Sequence, residues 1–260
     1  MTWLITLLLI SSGLLVGFIN TLAGGGTIIS ISLFMFLGLP ATVANGTNRI
    51  AVILQTLTST ASFKKQKVLD TRKGLLLGIP TAIGSILGAV IAVDIHEKTF
   101  EKAVGVIMLV MLFFIIYKPE YWLKGRKELV VKKITPWQII MFFGIGLYGG
   151  FIHVGVGYFI LAGLVLSAGY DLVKANALKV FIVLLYVPFT VLVFMWNKQI
   201  NYQYGLIHAI GNIIGAWLAS KYAVSWGANF VRWVIVVVIL ISSAQLFGLI
   251  DFKEIFKAIT

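Results

Sequence analysis

The sequence contains no cysteine, and only 12% of its 260 residues are charged. The absence of cysteine excludes disulfide bonds, thiolate metal sites and thiol catalysis. Soluble domains carry about 25% charged residues. The shortage of charge, together with 60% hydrophobic residues, therefore indicates an integral membrane protein. Residues 2–63 contain one charge, Arg49, and the uncharged runs are long enough to span a bilayer.

The few charges are strongly biased, with 21 lysines and arginines against nine acidic residues. The cations lie mainly in connecting loops, so the positive-inside rule explains them and no nucleic-acid partner is predicted. The basic connections 64–73 and 118–133 are predicted to face the cytoplasm, and the slightly acidic connection 94–101 the outside. No basic region precedes the first apolar run, so residues 1–22 are predicted to be a retained helix and not a signal peptide.

The chain contains an internal repeat, in which residues 17–110 reappear without a gap at residues 148–241, an offset of 131. The informative matches are glycine, asparagine and lysine, which are uncommon in apolar segments. They include Gly24 with Gly155, Gly26 with Gly157, Gly38 with Gly169, Asn45 with Asn176, and Lys67 with Lys198. An internal repeat in a membrane chain is typical of transporter folds, whose substrate site lies between the halves.

Five apolar segments are predicted in each half. They lie at about 3–22, 27–39, 43–63, 74–93 and 102–117, and at about 136–154, 157–169, 174–196, 203–221 and 231–250. The second segment of each half has about 13 residues, or ~20 Å of helix, against a hydrocarbon core of ~30 Å. These short segments are therefore predicted to be half-helices or re-entrant elements.

The charge bias of equivalent loops inverts between the halves, which predicts an all-α membrane protein built from two inverted-topology repeats. The predicted divisions are membrane repeat 1 at 1–117, a basic cytoplasmic linker at 118–135, and membrane repeat 2 at 136–260. The alternative is a parallel pair of four-segment halves, in which each short segment enters and leaves the membrane on one side.

Each half opens with a glycine cluster, Gly24, Gly25 and Gly26 in the first and Gly155 and Gly157 in the second. One interpretation is close helix packing, since small residues are enriched at membrane helix interfaces. The other is a broken helix whose backbone N–H groups face an anionic substrate. Both interpretations are compatible with one another.

Some twenty residues later each half carries a polar cluster inside an apolar helix. The first polar cluster is Asn45, Asn48 and Arg49, and the second is Asn176 and Lys179. The spacing places the members of each cluster on one helix face. A cation in a membrane segment predicts a functional site, here the binding of an anion near the positive end of a helix dipole. The alternative is that both cations snorkel to interfacial phosphates.

All nine carboxylates lie in, or at the edges of, loops and tails, which favours an anion over a cation as substrate. Further candidates for a proton or substrate pathway are His153, His208, Asn212 and Gln55, and hydrogen bonds between helices are the alternative for each. The chain lacks convergent acid, base and metal-binding groups, so it is predicted not to be an enzyme, with no cofactor and no metal site.

These motifs resemble the TauE/SafE sulfite exporter family, also described as the toluene-sulfonate uptake permease group. The resemblance rests on the glycine cluster, the stretch Leu37-Gly38-Leu39-Pro40, the run Ala44–Arg49 and the exit Lys67-Val68-Leu69-Asp70. It is strong over about 17–90 and weaker over 144–220. The second half departs from the pattern, since Val156 interrupts its glycine run and Asp171 stands where Pro40 would repeat.

The resemblance implies a multi-pass transporter in a prokaryotic cell membrane. We expect a secondary transporter, an exporter of sulfite, organosulfonates or related small sulfur-containing anions, working by alternating access around a site between the repeats. An anion channel and an uptake permease for a sulfur-containing organic acid are the alternatives. The expected partners are the lipid bilayer and the small anion, and the oligomeric state is left open between a monomer and a homo-oligomer.

Overall fold

The computed structural model describes residues 2–92 and 123–247, together with positions 109, 112, 113, 116 and 249. Over these ranges the chain forms helices and no strands. In chain order the helices are α1 (Trp3–Leu22), α2 (Thr27–Phe36), α3 (Ala41–Lys65), α4 (Thr71–Ala92), α5 (Lys127–Val130), α6 (Pro136–Phe151), α7 (Val156–Ala162), α8 (Leu172–Trp196) and α9 (Tyr202–Leu246). The prediction of an all-α protein is confirmed.

Four helices, α1, α4, α8 and α9 over Tyr202–Ile241, are long and apolar enough to cross a membrane. Their outward faces are strongly apolar. On α4 alone, the exposed side chains include Leu75, Leu76, Ile79, Ile83, Ile86, Leu87, Val90 and Ile91. An apolar exterior of this extent requires a hydrocarbon environment. The chain is an integral membrane protein.

Local signals explain the starts of two helices, α6 and α8. Thr135 and Gln138 form a capping box at α6, whose first residue is Pro136. Asp171 caps α8 by accepting hydrogen bonds from the backbone N–H groups of Val173 and Lys174, both at 3.1 Å. These caps satisfy N–H groups that the helices themselves leave unpaired.

The predicted short segments are short helices. α2 has ten residues, and α7 has seven and continues into a π-helical turn at Gly163–Ser167. At 1.5 Å per residue neither reaches across a hydrocarbon core of ~30 Å. The predicted segments 203–221 and 231–250 correspond to two helical stretches of α9 that meet at a kink, where the backbone of Gly227 is not helical. Most of the predicted segment 102–117 lies outside the described residues.

The repeat is visible in helix bounds and in backbone conformation. α3 and α8 have the same length and start 172 − 41 = 131 residues apart, and α4 and α9 start 202 − 71 = 131 apart. Lys67 and Lys198 are the two non-glycine residues with positive φ in the described ranges, at 59° and 56°. They occupy the same corner in the two halves, directly after α3 and α8.

The gap-free alignment is wrong before Gly155, because the second half carries two additional residues there. α1 ends at Leu22 and α6 at Phe151, an offset of 151 − 22 = 129. From the glycine clusters onward the offset is 131. The extra length falls in the link 152–154 that follows α6, so this link, which contains His153, is longer than the single-residue link in the first half.

Packing between the halves supports the corrected register. Gly17 of α1 lies against the backbone of Asn212 on α9. Gly146 of α6, which corresponds to Gly17 at an offset of 129, lies against the backbone of Thr81 on α4. Thr81 in turn corresponds to Asn212 at an offset of 131. The first helix of each half therefore packs on the fourth helix of the other half, through glycines that let the backbones approach.

Candidate functional site

The candidate site lies at two helix breaks, the non-helical links between α1 and α2 and between α6 and α7. Gly24 and Gly155 stand at the two breaks with φ of 89° and 71°. L-residues with a side chain rarely adopt this left-handed conformation, so glycine is needed at both positions. α3 and α8, which carry the two polar clusters, pack beside these breaks.

The glycine clusters pack the two halves against each other. A Cβ atom built on Gly24 would overlap the Cα of Gly157, and one on Gly157 would overlap Gly24. Gly25 lies against the hydroxyl end of Tyr158, and Gly26 lies against the carbonyl oxygen of Val16. Close packing therefore explains these four glycines, and Gly24 and Gly157 also line the cavity described below.

Arg49 of the first polar cluster is fully buried. Its Nη1 donates a hydrogen bond to the carbonyl oxygen of Gly149 at 3.2 Å, and its Nη2 donates one to the carbonyl oxygen of Gly150 at 2.7 Å. Both carbonyls belong to the last turn of α6, where helix carbonyls lack intrahelical partners. The guanidinium therefore caps the C-terminal end of a helix from the other half.

Three further groups surround the Arg49 guanidinium. Nη1 donates to Thr190 Oγ1 at 2.9 Å, Nη2 lies 3.5 Å from Asn45 Oδ1, and the Phe194 ring centroid is 4.7 Å from Cζ. Of the three guanidinium nitrogens of Arg49, only Nε has no hydrogen-bond acceptor among the described residues. The side chain is thus held on all sides within the protein, and the snorkelling interpretation of Arg49 is wrong.

Lys179 of the second polar cluster is held in the same way. Its Nζ donates to the carbonyl oxygens of Asn20 and Thr21 in the last turn of α1, at 2.9 Å and 2.8 Å. A third bond reaches Asn176 Oδ1 at 2.7 Å. These bonds use all three donors of an ammonium group. Lys179 is 2% exposed, so snorkelling is wrong here as well.

The two cations cap equivalent carbonyls. Residues 149 and 150 correspond to residues 20 and 21 at the offset of 129 that relates α6 to α1. Neither Arg49 nor Lys179 forms an ion pair with any residue that the structure describes. Each charge is balanced by carbonyl dipoles at a helix C-terminus, which favour a cation. Within the described ranges, no carboxylate therefore neutralises either side chain.

The clusters also contain polar atoms that the described residues leave without a partner. Asn48 is fully buried, yet neither its Nδ2 nor its Oδ1 has a hydrogen bond within the described ranges. Asn176 Nδ2 is also unpaired there. Buried polar groups without partners are costly and are rare in native proteins. Asn48 occupies the position that Lys179 has in the other half, 48 + 131 = 179.

A small cavity, with room for about one water molecule, lies between the halves next to Lys179. Its lining includes five polar or charged residues, Asn20, Gln55, Thr56, His153 and Lys179, together with Gly24 and Gly157. Valines from α3, α7 and α8 complete the wall. The cavity thus combines an apolar wall with a few polar groups, the usual composition of a small-molecule site. Arg49 does not line it.

Two of the predicted pathway residues face this cavity. Gln55 accepts a hydrogen bond at Oε1 from Asn20 Nδ2, at 3.3 Å. His153, in the longer link of the second half, lies 3.0 Å from the Tyr186 hydroxyl through Nδ1. Tyr186 is the counterpart of Gln55 at the offset of 131, so the repeat alone could have identified it as a site residue.

The other two predicted pathway residues lie away from the cavity, between α1, α2 and α9. His208 Nδ1 donates to the carbonyl oxygen of Leu9 at 2.9 Å, and its Nε2 is 2.9 Å from Ser30 Oγ. Asn212 Nδ2 donates to the carbonyl oxygen of His208 at 3.0 Å. With one nitrogen donating and the other accepting, His208 is satisfied as a neutral ring. Its observed contacts hold helices together.

Sequence comparison assigns the class and then the family. The chain resembles proteins named as probable membrane transporters: ORF9 of Sinorhizobium sp, 25% identical over 85% of this chain and 84% of the relative; a protein of Haemophilus influenzae, 24% identical over 90% and 91%; and YfcA of Escherichia coli K12, 24% identical over 90% and 86%.

The family model for the sulfite exporter TauE/SafE matches residues 9–246. The chain belongs to the TauE/SafE family and is a membrane transporter, not an enzyme. No solved structure matches it significantly. The family predicted from the glycine clusters and the polar clusters is thereby confirmed.

Proposed function

We propose that this transporter exports small sulfur-containing anions, such as sulfite or organosulfonates, through a site between its two halves. The observation that carries the proposal is the pair of buried cations, Arg49 and Lys179, which face no carboxylate among the described residues. Buried positive charge of this kind selects an anion and repels a cation. The family name, sulfite exporter, supports a sulfur oxyanion as the charged group.

Lys179 is the residue proposed to attract the anion, because it lines the cavity. Its three donors are bound within the protein, so it would act through its charge until the site rearranges. Gln55, His153 and the backbone at Gly24 and Gly157 surround the same space and would complete the anion's coordination. Arg49 lies behind this site with its guanidinium enclosed, and so would act through the electrostatic potential of its charge. Asn45, Asn48 and Asn176 are proposed to orient the two cations and to supply donors when the site rearranges.

The halves are proposed to be inverted repeats, and the direction of helix packing supports this. Gly13 contacts His208 and Gly17 contacts Asn212, so residue numbers rise together and α1 runs parallel to α9. On the other side, α4 runs parallel to α6 by the same test, with Gly84 beside Phe143. A second contact, Gly88 beside Leu147, gives the same direction.

Contacts of the central helices extend this pattern. The start of α3 packs on the end of α8, as Gly46 does on Phe194, so these equivalent helices run in opposite directions. The same holds for the cation contacts, since Arg49 near the start of α3 reaches Thr190 near the end of α8. Equivalent helices with opposite direction are the defining feature of inverted repeats.

Alternating access is proposed to exchange the roles of the two clusters. Lys179 borders a cavity, while Arg49, which caps the equivalent carbonyls in the other half, is enclosed. In inverted-repeat transporters, rocking one half against the other converts each half into the conformation of its partner. An exported monovalent anion would move down the membrane potential, worth about 2.3 kcal/mol per charge per 100 mV.

The remaining assignments are also proposals. The halves are divided at the basic linker 118–135, placed in the cytoplasm by the positive-inside rule, of which residues 118–122 lie outside the described ranges. The membrane is proposed to be a prokaryotic cell membrane. No nucleic acid is proposed as a partner, and both a monomer and a homo-oligomer are compatible with the site lying within one chain.

Substrate class is tested by the thermal stability of the detergent-purified protein against sulfite, thiosulfate, sulfate, sulfoacetate, taurine and chloride. A ligand that binds only the folded state raises the Tm by mass action. We expect a selective increase with one sulfur oxyanion or sulfonate. Equal shifts with chloride, or none with any anion, would contradict the proposed substrate class.

Transport is tested by efflux of that anion from proteoliposomes. Lys179→Gln is expected to lower the rate at least tenfold. Lys174→Gln, on an exposed lysine of the same helix paired only with Asp171, is the matched control and is expected to retain it. Unchanged efflux in Lys179→Gln would remove Lys179 from the site, and unitary currents in bilayer recordings would favour a channel over a carrier.

A further inference from the structure

The Lys179 ammonium occupies a complete oxygen cage. Its Nζ lies 2.9 Å and 2.8 Å from the carbonyl oxygens of Asn20 and Thr21, and 2.7 Å from Asn176 Oδ1. In other transporter folds, the C-terminal ends of broken helices and unwound backbone carbonyls coordinate the coupling Na⁺. The groups around Nζ are of the same type, with backbone carbonyls from a helix end and one side-chain oxygen. The acceptors around Nζ therefore resemble the ligand set of a monovalent-cation site.

The Arg49 guanidinium fills the equivalent cage in the other half. Its acceptors are the carbonyl oxygens of Gly149 and Gly150 together with Thr190 Oγ1, within 3.2 Å, and Asn45 Oδ1 at 3.5 Å. The two cages use equivalent helix-end carbonyls and equivalent asparagines. The same arrangement, a lysine or arginine bound to helix-end carbonyls, is therefore present in both halves, which argues against a chance contact.

We infer that Lys179 and Arg49 are built-in replacements for coupling cations, and that transport by this protein requires no Na⁺ or other metal ion. A tethered cation cannot be released to either side, so it supplies the charge that holds an anion without being transported. The inference rests on the proposed function, because it concerns the coupling of anion movement at the same site.

The cages differ in shape, which permits a specific test by chemical rescue. Lys179→Ala leaves three oxygens around a space suited to a compact ammonium ion. Arg49→Ala leaves acceptors spaced for a planar guanidinium ion, whose donors form a fixed fork. Methylammonium chloride and guanidinium chloride are therefore each added to both variants at low millimolar concentration, with choline chloride as the ionic-strength control.

We expect methylammonium to raise the Tm of Lys179→Ala by about 3 °C or more relative to choline, and guanidinium to do the same for Arg49→Ala. The reverse combinations are expected to produce smaller shifts. A folded variant that no small cation stabilises, or that both ions stabilise equally, would overturn the assignment of shaped cation cages. This readout needs no transport, so it stands whether or not the sulfur anion is the substrate.

The unmodified protein provides a second test that does not depend on variant folding. Its Tm is measured in NaCl, KCl and choline chloride at equal ionic strength, and anion efflux from proteoliposomes is compared in the same three salts. We expect the same Tm and rates within about twofold. A Tm increase specific to Na⁺, or efflux that fails without Na⁺, would overturn the inference. No efflux in any of the three salts would instead count against the proposed substrate.

Discussion

The two polar clusters both cap the carbonyl groups at a helix C-terminus, but they do so with different side chains. In the first half, Arg49 binds two helix-end carbonyls and a threonine hydroxyl, and is fully enclosed. In the second half, Lys179 binds the two equivalent carbonyls and Asn176 Oδ1, and it borders a cavity. The cations stand one alignment position apart, since Asn48 is the counterpart of Lys179 and Val180 that of Arg49.

This difference indicates that the two cations have different structural roles. Guanidinium offers five donors in a rigid plane and keeps its charge in a buried site, which suits a permanent brace. Ammonium is compact on a flexible chain, so it can leave one acceptor for another. We therefore treat the Arg49 cluster as the fixed side of the site and the Lys179 cluster as the side that moves.

The largest effect is expected from Arg49→Ala. It removes the donors that cap α6 and bind Thr190, and loss of one partner from a buried charged network costs about 3–5 kcal/mol. Lys179→Ala is expected to cost less, because the cavity lets water reach the freed carbonyls. Thermal unfolding in detergent measures both, with the exposed Arg72→Gln as control. A larger loss in Lys179→Ala than in Arg49→Ala would reverse the assignment of fixed and mobile sides.

Gly24→Ala is expected to come next, at roughly 2–4 kcal/mol. Its Cβ would overlap the backbone of Gly157, and its left-handed conformation adds strain. Gly38→Ala is the matched control, because Gly38 is equally left-handed but has open space around its Cβ position. Equal losses of stability in the two variants would show that conformation alone, and not packing between the halves, requires glycine at residue 24.

Exchanging the clusters tests whether the two cages are interchangeable. Lys179→Asn combined with Val180→Arg gives the second half the residue pair of the first. We expect this double variant to be about 1–3 kcal/mol more stable than Lys179→Asn alone, because the new guanidinium can reach the carbonyls of Asn20 and Thr21. Comparison of the Tm values decides this, and a double variant no more stable than the single one would show that the cages are not equivalent.

The smallest effects are expected at the corners, where the halves are most alike. Lys67→Gly and Lys198→Gly relieve positive φ angles of 59° and 56° at equivalent positions. Each is expected to raise the free energy of unfolding by up to about 1 kcal/mol, and by the same amount in both halves. Lys64→Gly, inside the last turn of α3, is the control and is expected to destabilise by about 1 kcal/mol. Opposite signs at the two corners would contradict their equivalence.

Much of this fold could be predicted from composition and repetition. The long apolar segments gave the helices because hydrocarbon requires every backbone group to be bonded within the chain. The buried cations were recognisable, since Arg49 is the single charge in residues 2–63. The short second segments were recognisable by length alone.

The remaining features depend on contacts that no local pattern encodes. The register of the first helices could not be predicted, because glycines at 17 and 146 coincide only after a two-residue shift placed in the link around His153. The acceptors of Arg49 and Lys179 are backbone carbonyls, and a carbonyl is present at every residue. Which of the two cations borders the cavity depends on the conformation of the whole bundle.

The distribution of hydrogen-bond partners along the chain has a consequence for biosynthesis. The acceptors of Lys179 precede it by 159 and 158 residues, so they have been synthesised when α8 leaves the ribosome. Those of Arg49 follow it by 100 and 101 residues. An arginine at the centre of a membrane helix costs about 2.5–3.5 kcal/mol during insertion, and Arg49, which lies near the start of α3, is expected to cost less than that. The nascent first half must therefore carry this cost until α6 is translated, and the second half completes the folding of the first.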